Sequence, residues 1–194
     1  MGSCRRPAGR AKTGAMPFST AAGSCHTPTL TLAASWPTSS RGRAPSFWGR
    51  GTYELFANYW PRVKDPKHPI AGPLNGLPKY VASRSLEGAT WNGSTVLRDV
   101  RAEVMQLKEA DGPEIQVHGS VGLVQTLLEY ELIDEVHLLQ FPLVLGTGKR
   151  LFGSGTIPTA FELLATKTTP KGVLMSTYRP SGRPSYGSPP EMPD

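Results

Sequence analysis

The sequence predicts an α/β protein, a three-layer sandwich around a mixed, mostly parallel sheet that ends in an antiparallel hairpin. Two observations lead to this fold class. Strand-like and helix-like segments alternate from residue 79 to residue 146, which is typical of parallel strands joined by helical crossovers. Beyond them, "FELLATKT" and "GVLMSTYR" are divided by Pro170-Lys171-Gly172, which indicates two antiparallel strands around a turn.

The first elements are short and separated by Pro and Gly. "TYELFANYW" predicts a helix that Pro61 ends, with Thr52 as its N-cap. Residues 62–78 predict a loop. "KYVASRS" (79–85) and "STVL" (94–97) have the composition of strands, and Asp99 caps the predicted helix "VRAEVMQLKEA", which has one apolar face.

The later elements are more apolar. "EIQVH" (114–118) alternates like a strand and runs directly into Gly119-Ser120. The next helix has Val121, Val124 and Leu128 on one stripe with Leu127 beside it, so most of its inner face is expected in the core. "EVHLLQFPLVLG" (135–146) predicts a long central strand, in which Pro142 requires a bulge or an edge position.

The formal charge of +6 is concentrated at the front of the chain. Residues 1–53 hold seven of the 21 basic residues and no acidic residue, so the remainder is close to neutral. Because no basic helix or basic-aromatic stripe follows, we expect no nucleic acid partner for the domain. The least favoured alternative is a basic leader that recruits nucleic acid.

The two ends of the chain are low in complexity. Residues 1–46 are rich in Ser, Pro and Arg without helical or strand periodicity, and predict a disordered or aberrant basic leader. Residues 181–194 predict a disordered tail. The folded domain is therefore expected at 47–180.

Cysteine usage and hydropathy indicate the environment of the protein. Both cysteines, Cys4 and Cys25, lie in the leader, so neither a disulfide framework nor a Cys-rich metal site is expected. We expect a reducing, cytoplasmic compartment. No apolar run approaches the roughly 18 residues that a membrane span needs, so we expect no membrane partner.

Two glycine-bearing turns are candidates for holding a phosphate. "WGRGT" combines the flexible backbone of Gly49 with the charge of Arg50 and the hydroxyl of Thr52 at a helix start. "VHGSVG" passes from a strand through Gly119 and Ser120 into a helix, and this turn could hold a pyrophosphate. Each turn alone is a weak signal, because a strand-to-helix turn needs a small residue in most proteins, and an ordinary connection is the favoured interpretation of Gly119 and Ser120 by themselves.

Stronger motifs are excluded. "GTGKR" is not a phosphate-binding P-loop, because Leu143 stands where its first glycine belongs. "HGSVG" has His118 in place of the leading glycine of a nucleophile elbow. His118 and His137 lack metal-ligand spacing and are interpreted as core or rim residues, so no metal is expected. Asp134 and Glu135 are interpreted as capping or solvent-facing residues.

The order of the motifs carries a family resemblance. "GRGTYELFANYWP", "LPKYVASRSL", "VHGSVGLVQTLLEYELIDEVHLLQFPLVLGTGKRLF" and "VLMSTYRP" together resemble the dihydrofolate reductase-like family, of the type found in the reductase domain of riboflavin biosynthesis. The resemblance spans residues 47–180 and implies an NADPH cofactor. It implies that the cofactor is bound by the following residues: Gly49, Arg50, Thr52, Ser83, Arg84, Gly119, Ser120 and Leu123. It names no catalytic acid.

One departure from the family leaves the activity open. Members begin with a strand and a Ser-Leu-Asp-Gly turn, and nothing like them precedes residue 47, so we expect the first strand of the sheet to be missing. We expect the segment before Trp48 to come from a shifted reading frame or a misassigned start. The leading hypothesis is an NADPH-dependent reductase of a small heterocyclic, pterin- or pyrimidine-like substrate, with a homodimer compatible with the resemblance. The alternative is a non-catalytic remnant that acts as a weak nucleotide-binding or interaction module.

Overall fold

The structure is a computed structural model that describes residues 30–33, 44–65 and 67–187. Four α-helices, one short 3₁₀ helix (Trp60–Arg62) and eight strands lie in this part of the chain. The strands are β1 (Leu30–Ala33), β2 (Ser46–Gly49), β3 (Lys79–Ala82), β4 (Ser94–Leu97), β5 (Ile115–Val117), β6 (Glu135–Gln140), β7 (Phe161–Thr168) and β8 (Leu174–Pro180). The helices are α1 (Arg50–Tyr59), α2 (Ala71–Gly76), α3 (Val100–Glu109) and α4 (Val121–Glu129).

The strands form one mixed sheet in the order β4-β3-β2-β5-β1-β6-β8-β7. The strands from β4 to β6 in this order are parallel, and β8 then pairs antiparallel with both β6 and β7. The predicted mixed, mostly parallel sheet with a closing antiparallel hairpin is therefore confirmed. The hairpin turn lies at Pro170-Lys171-Gly172, as the sequence predicts.

The expected absence of a first strand is wrong. Strand β1 lies in the centre of the sheet, where its residues pair in parallel with β5 on one side and β6 on the other. Ala44 and Ser46 are also buried, so this part of the predicted leader belongs to the folded domain. The rest of the disorder predicted for residues 1–46 lies outside the described residues, as do positions 188–194 of the predicted tail.

Helices cover both faces of the sheet because successive side chains of a strand point in opposite directions. Phe47 packs in a cluster with the inner faces of α3 and α4, whereas the next residue, Trp48, packs on the other face with Tyr53 of α1 and Leu74 of α2. Trp48 is fully buried, and its ring stacks on that of Trp91 at 5.6 Å between centroids. The two clusters give the three layers that the sequence predicts.

Two predictions about helices are wrong. Helix α1 begins at Arg50, directly after β2, so its N-cap is Gly49 and Thr52 lies within the first turn. The predicted loop 62–78 contains α2. Its Pro73 is tolerated because it falls in the first turn of the helix, where the backbone N–H has no intrahelical partner. The ring Nδ1 of His68 accepts hydrogen bonds from the N–H groups of Ile70 (3.2 Å) and Ala71 (3.1 Å) at the start of α2.

Strand β6 is shorter than predicted. It ends at Gln140 rather than at residue 146, because Pro142 cannot donate to the ladder and the chain leaves the sheet before it. The side chain of Val144 is 95% exposed in the following loop. Every helix in the described part of the chain is too short or too polar to span a bilayer.

Candidate functional site

The two glycine-bearing turns meet at the side chain of Ser120. Its Oγ accepts a hydrogen bond from the backbone N–H of Gly49 at 2.8 Å and donates one to Thr52 Oγ1 at 2.7 Å. A Cβ on Gly49 would lie 3.3 Å from the same Oγ, so glycine permits this close approach. The contacts join the start of α1 to the start of α4, as the two-turn prediction requires.

The turn before α4 has an unusual backbone. Gly119 and Ser120 both adopt left-handed conformations, with φ of 65° and 64°. Glycine reaches this region without cost, whereas serine is strained there by about 1 kcal/mol. The conformation directs the Ser120 hydroxyl toward Gly49 and Thr52, and Gly119 remains exposed, with nothing within 4 Å of where its Cβ would be.

A cleft of about 540 Å³ opens beside this junction. It lies at the carboxyl ends of β2, β3 and β4 and at the beginnings of α3 and α4, the edge at which ligands bind in open α/β sheets. Four of the residues predicted to bind a cofactor line it, namely Gly49, Ser83, Arg84 and Leu123.

The other predicted residues lie beside the cleft rather than in its wall. Thr52 and Ser120 bond to each other next to Gly49. The Arg50 guanidinium pairs with Glu54 Oε1 at 2.6 Å and donates to Ser85 Oγ at 2.8 Å, which ties the start of α1 to the loop after β3. The structure therefore brings all the predicted residues to one region of the carboxyl edge, although Arg50 is already engaged.

The cleft is strongly basic. Besides Arg84, its lining includes Arg98 and Arg101, which sequence analysis missed. The Arg98 guanidinium donates to the backbone oxygens of Ser83 (3.0 Å) and Leu86, and the Arg101 guanidinium lies over the Tyr130 ring. Their sequence positions could have indicated this role, because Arg98 precedes the Asp99 cap and Arg101 follows it, where the end of β4 meets the start of α3.

The acidic residue in the lining has a structural role. Asp99 accepts a hydrogen bond from the N–H of Ala102 at 3.0 Å, and its own N–H donates to Glu103 Oε2 at 2.9 Å. This arrangement confirms the predicted N-cap of α3. The lining thus combines three guanidinium groups with one carboxylate that already serves the helix start, a balance that favours an anionic ligand.

His137 and the acidic pair make contacts within the fold. His137 Nδ1 lies 2.9 Å from Thr177 Oγ1, and its Nε2 lies 3.4 Å from a carboxylate oxygen of Glu135. Asp134 forms an ion pair with Lys108 at 2.6 Å. Among the described residues no cluster of His, Cys, Asp and Glu could hold a metal ion.

A second cleft, of about 860 Å³, lies at the opposite edge of the sheet, near the amino ends of β3 and β4. Trp91 and Asn75 line it, and no residue predicted to bind a cofactor does so. Behind Trp91, the ammonium of Lys79 is buried, and burial lowers the pKa of Lys79 to about 8. Lys79 Nζ donates to the backbone oxygens of Leu77 (2.6 Å) and Asn92 (3.0 Å), so it holds this edge together.

Comparisons with known proteins agree with the fold. The chain is 28% identical over 137 residues to YyaP, an uncharacterized protein of Bacillus subtilis strain 168, which covers 70% of this chain and 73% of the relative. A structure from Shewanella sp. PV-4, provisionally assigned to riboflavin biosynthesis, superimposes with a TM-score of 0.57 at 20% identity, over 71% of this chain and 73% of the other.

The Enterococcus faecalis dihydrofolate reductase, solved with NADP(H) and RAB-propyl, superimposes with a TM-score of 0.50 at 14% identity, over 71% of this chain and 74% of the other. At these identities, the two solved structures establish the fold alone. The model of the RibD C-terminal domain family matches residues 46–175. The chain therefore belongs to the RibD C-terminal domain family, as its motifs indicate.

Proposed function

We propose that the protein is an NADPH-dependent reductase that transfers hydride to a small heterocyclic substrate of the pterin or pyrimidine type. The observation that carries the proposal is the junction of Gly49, Ser120 and Thr52 at the side of a cleft with three arginines. Family membership and the similarity of the fold to a dihydrofolate reductase solved with NADP(H) support it.

The phosphates of the cofactor fit the two turns. A pyrophosphate beside Gly49 and Gly119 would meet backbone that carries no side chain, at the beginnings of α1 and α4, where N–H groups lack intrahelical partners. The open space beside Gly119 and Gly122 fits a bulky group, since nothing lies within 4 Å of where a Cβ would be at either residue. Leu123 would contact the group from the floor of the cleft.

The adenosine 2′-phosphate fits the other end of the cleft. Ser83 and Arg84 follow β3 there, and Arg84 forms no ion pair with a described residue. A guanidinium can donate two parallel hydrogen bonds to a phosphate. Arg98 and Arg101, from the next strand and helix, would add positive charge to the same site.

The chain itself contributes binding and orientation to the proposed reaction. NADPH, when bound, supplies the hydride. The two turns would hold the pyrophosphate, and the arginines would hold the adenosine end. The alternative, a non-catalytic remnant, depends on the absence of the first strand. Because β1 occupies the centre of the sheet, this reason for the alternative does not hold.

The cofactor assignment is tested by titrating NADPH and NADH against intrinsic fluorescence. Arg84→Ala should weaken NADPH by about tenfold, the effect of one charge-assisted hydrogen bond of about 1.5 kcal/mol, and should change NADH by less than about twofold. Arg62→Ala removes an exposed arginine at the other end of α1 and should change neither. Equal losses for the two nucleotides after Arg84→Ala would remove the 2′-phosphate assignment.

The reductase assignment needs a separate measurement. Oxidation of NADPH should be followed with pterin and pyrimidine compounds, and Ser120→Ala should slow it together with NADPH binding, because Ser120 fixes both turns. If the protein binds NADPH but oxidises it with none of these compounds, the substrate class is wrong and the binding module is the better description.

A further inference from the structure

The proposed reduction needs a proton as well as a hydride. When a C=N or C=O bond of a heterocycle is reduced, the carbon takes the hydride and the nitrogen or oxygen takes a proton. A side chain that supplies this proton has to exchange it near neutral pH and lie beside the reacting atoms. Because ligands bind at the carboxyl edge of a sheet of this kind, the acid is expected among the residues of that edge.

The ends of the central strands differ in the side chains that they place at this edge. Strand β2 ends at Gly49 and is followed by Arg50, whose guanidinium stays protonated and pairs with Glu54. Strand β6 ends at Gln140, an amide. Strand β5 is followed by His118, and an imidazole changes its charge in the neutral range. Among the described residues that directly follow these three strands, His118 is therefore the one suited to donate a proton.

His118 lies at the centre of the carboxyl edge. The residue before it, Val117, pairs with Phe47 of β2 and with Leu32 of β1. His118 therefore comes level with the ends of both neighbouring strands. Successive residues of a strand face opposite sides of the sheet, and Val117 packs with Phe47 on the side of α3 and α4. By this alternation, the partly exposed His118 falls on the side of α1, which Trp48 also faces.

The position of His118 relative to the arginines fits a dinucleotide. The arginines of the cleft lie at the ends of β3 and β4, on one side of β2 in the sheet order, whereas His118 follows β5 on the other side. The pyrophosphate of a dinucleotide separates its adenosine half from its reactive half. With the pyrophosphate at the two turns and the adenosine half among the arginines, the reactive half belongs on the side of His118.

We propose that His118 is the general acid of the reduction, a role that rests on the proposed function. The carbon of the C=N or C=O bond of the substrate takes a hydride from NADPH, and the imidazolium of His118 gives its N–H proton to the adjacent nitrogen or oxygen. The products are NADP⁺, the reduced heterocycle and a neutral imidazole, which takes a new proton from water. The step requires a polar double bond in the substrate, because the proton needs a nitrogen or oxygen to receive it.

The elements around His118 determine which charges act on its proton. Strands β1 and β2, which pair with β5, contain no titratable residue. The titratable or charged residues on the two helices that begin at this edge and on the next strand are Arg50, Tyr53, Glu54 and Tyr59 on α1, Glu129 on α4, and Glu135 and His137 on β6. Of these, His137 is the one that also titrates in the neutral range, so it is the control residue for His118.

The pH dependence of turnover tests the role. In the wild type, kcat for NADPH oxidation with an active pterin or pyrimidine compound should fall as pH rises above the range in which an imidazole is protonated. His118→Gln should lower kcat by about a hundredfold or more and remove this dependence, because general acid catalysis contributes about a hundredfold to ten-thousandfold. The variant should keep the dissociation constant of NADPH, measured by intrinsic fluorescence, within about twofold. His137→Gln should keep the wild-type kcat and pH profile.

A measurement without turnover checks the position of His118. The C2–H proton NMR signals of His118 and His137 are assigned with the two variants, and saturating NADP⁺ should shift the signal of His118 but not that of His137. If NADP⁺ binds without moving the His118 signal, the residue lies away from the reactive half and the proposal is overturned.

The kinetic outcomes separate this proposal from the proposed function. If the wild type reduces a compound and His118→Gln retains its kcat and pH profile, His118 is not the acid, whereas the reductase assignment stands. If the wild type oxidises NADPH with no compound, the reductase assignment is wrong, and the role of His118 is overturned together with it.

Discussion

Replacing Ser120 with alanine removes the hydroxyl that joins the two turns. The change deletes two hydrogen bonds, one from the Gly49 N–H and one to Thr52 Oγ1. A made hydrogen bond contributes about 1 kcal/mol net, and a partly buried N–H left without an acceptor adds a desolvation cost of about 1 kcal/mol or more. We therefore expect Ser120→Ala to lower the free energy of unfolding by about 2 to 3 kcal/mol.

The left-handed backbone at Ser120 supplies an internal comparison. Ser120→Gly deletes the same two hydrogen bonds but relieves about 1 kcal/mol of strain at φ 64°, so it should cost about 1 kcal/mol less than the alanine variant. Gly119→Ala adds left-handed strain without a clash, since nothing lies within 4 Å of the new Cβ, and should cost about 1 kcal/mol.

Equilibrium unfolding in urea, followed by tryptophan fluorescence, measures these differences at an unchanged m-value. Ser154→Ala, at an exposed position in the loop before β7, is the matched control and should change the free energy of unfolding by less than about 0.5 kcal/mol. The reasoning is refuted if Ser120→Ala falls within that same range. It is also refuted if Ser120→Gly is as destabilising as Ser120→Ala.

Two further substitutions test other features of the fold. Burial lowers the pKa of Lys79 to about 8 from its ordinary value of 10.5. The unfolded chain therefore binds more protons between these two pH values, and the folded state gains stability as pH rises through them. Relative to Lys79→Met, the wild type should gain about 2 kcal/mol between pH 8 and pH 10 in urea unfolding, and parallel pH profiles would contradict this. Glu131 follows α4 with φ 54°, a position that favours glycine, so Glu131→Gly should raise the free energy of unfolding by about 1 kcal/mol, and a loss would contradict it.

The elements that the sequence located well carry a strong local signal. The start of α3 is fixed by Asp99, which accepts from the N–H of Ala102, and the closing hairpin is fixed by Pro170-Lys171-Gly172 between two β-branched and aromatic runs. The helix α2 gave no such signal. It has six residues, begins at Ala71 with Gly72 and Pro73 in its first turn, and depends on the His68 ring, which a search for Ser, Thr, Asp or Asn caps does not detect.

The residues of the candidate site also differ in how strong a sequence signal they carry. The two glycine-bearing turns were located from their order along the chain, and the hydrogen bonds of Ser120 explain how they converge. Arg98 and Arg101 were not found, because an arginine near a helix start is common and its direction depends on the tertiary fold. Arg101 lines the cleft with its guanidinium over the ring of Tyr130, which follows α4, and this contact exists only in the folded chain.

Strand β1 shows why a central strand can escape sequence analysis. Leu30–Ala33 is four residues long, and it stands in an acid-free, proline-containing segment without strand periodicity. Strand β1 fills the gap between β5 and β6. Without it, both neighbours would leave a row of backbone N–H and C=O groups unpaired in the middle of the sheet. The paired ladders on both sides, rather than the composition of the strand, account for its position.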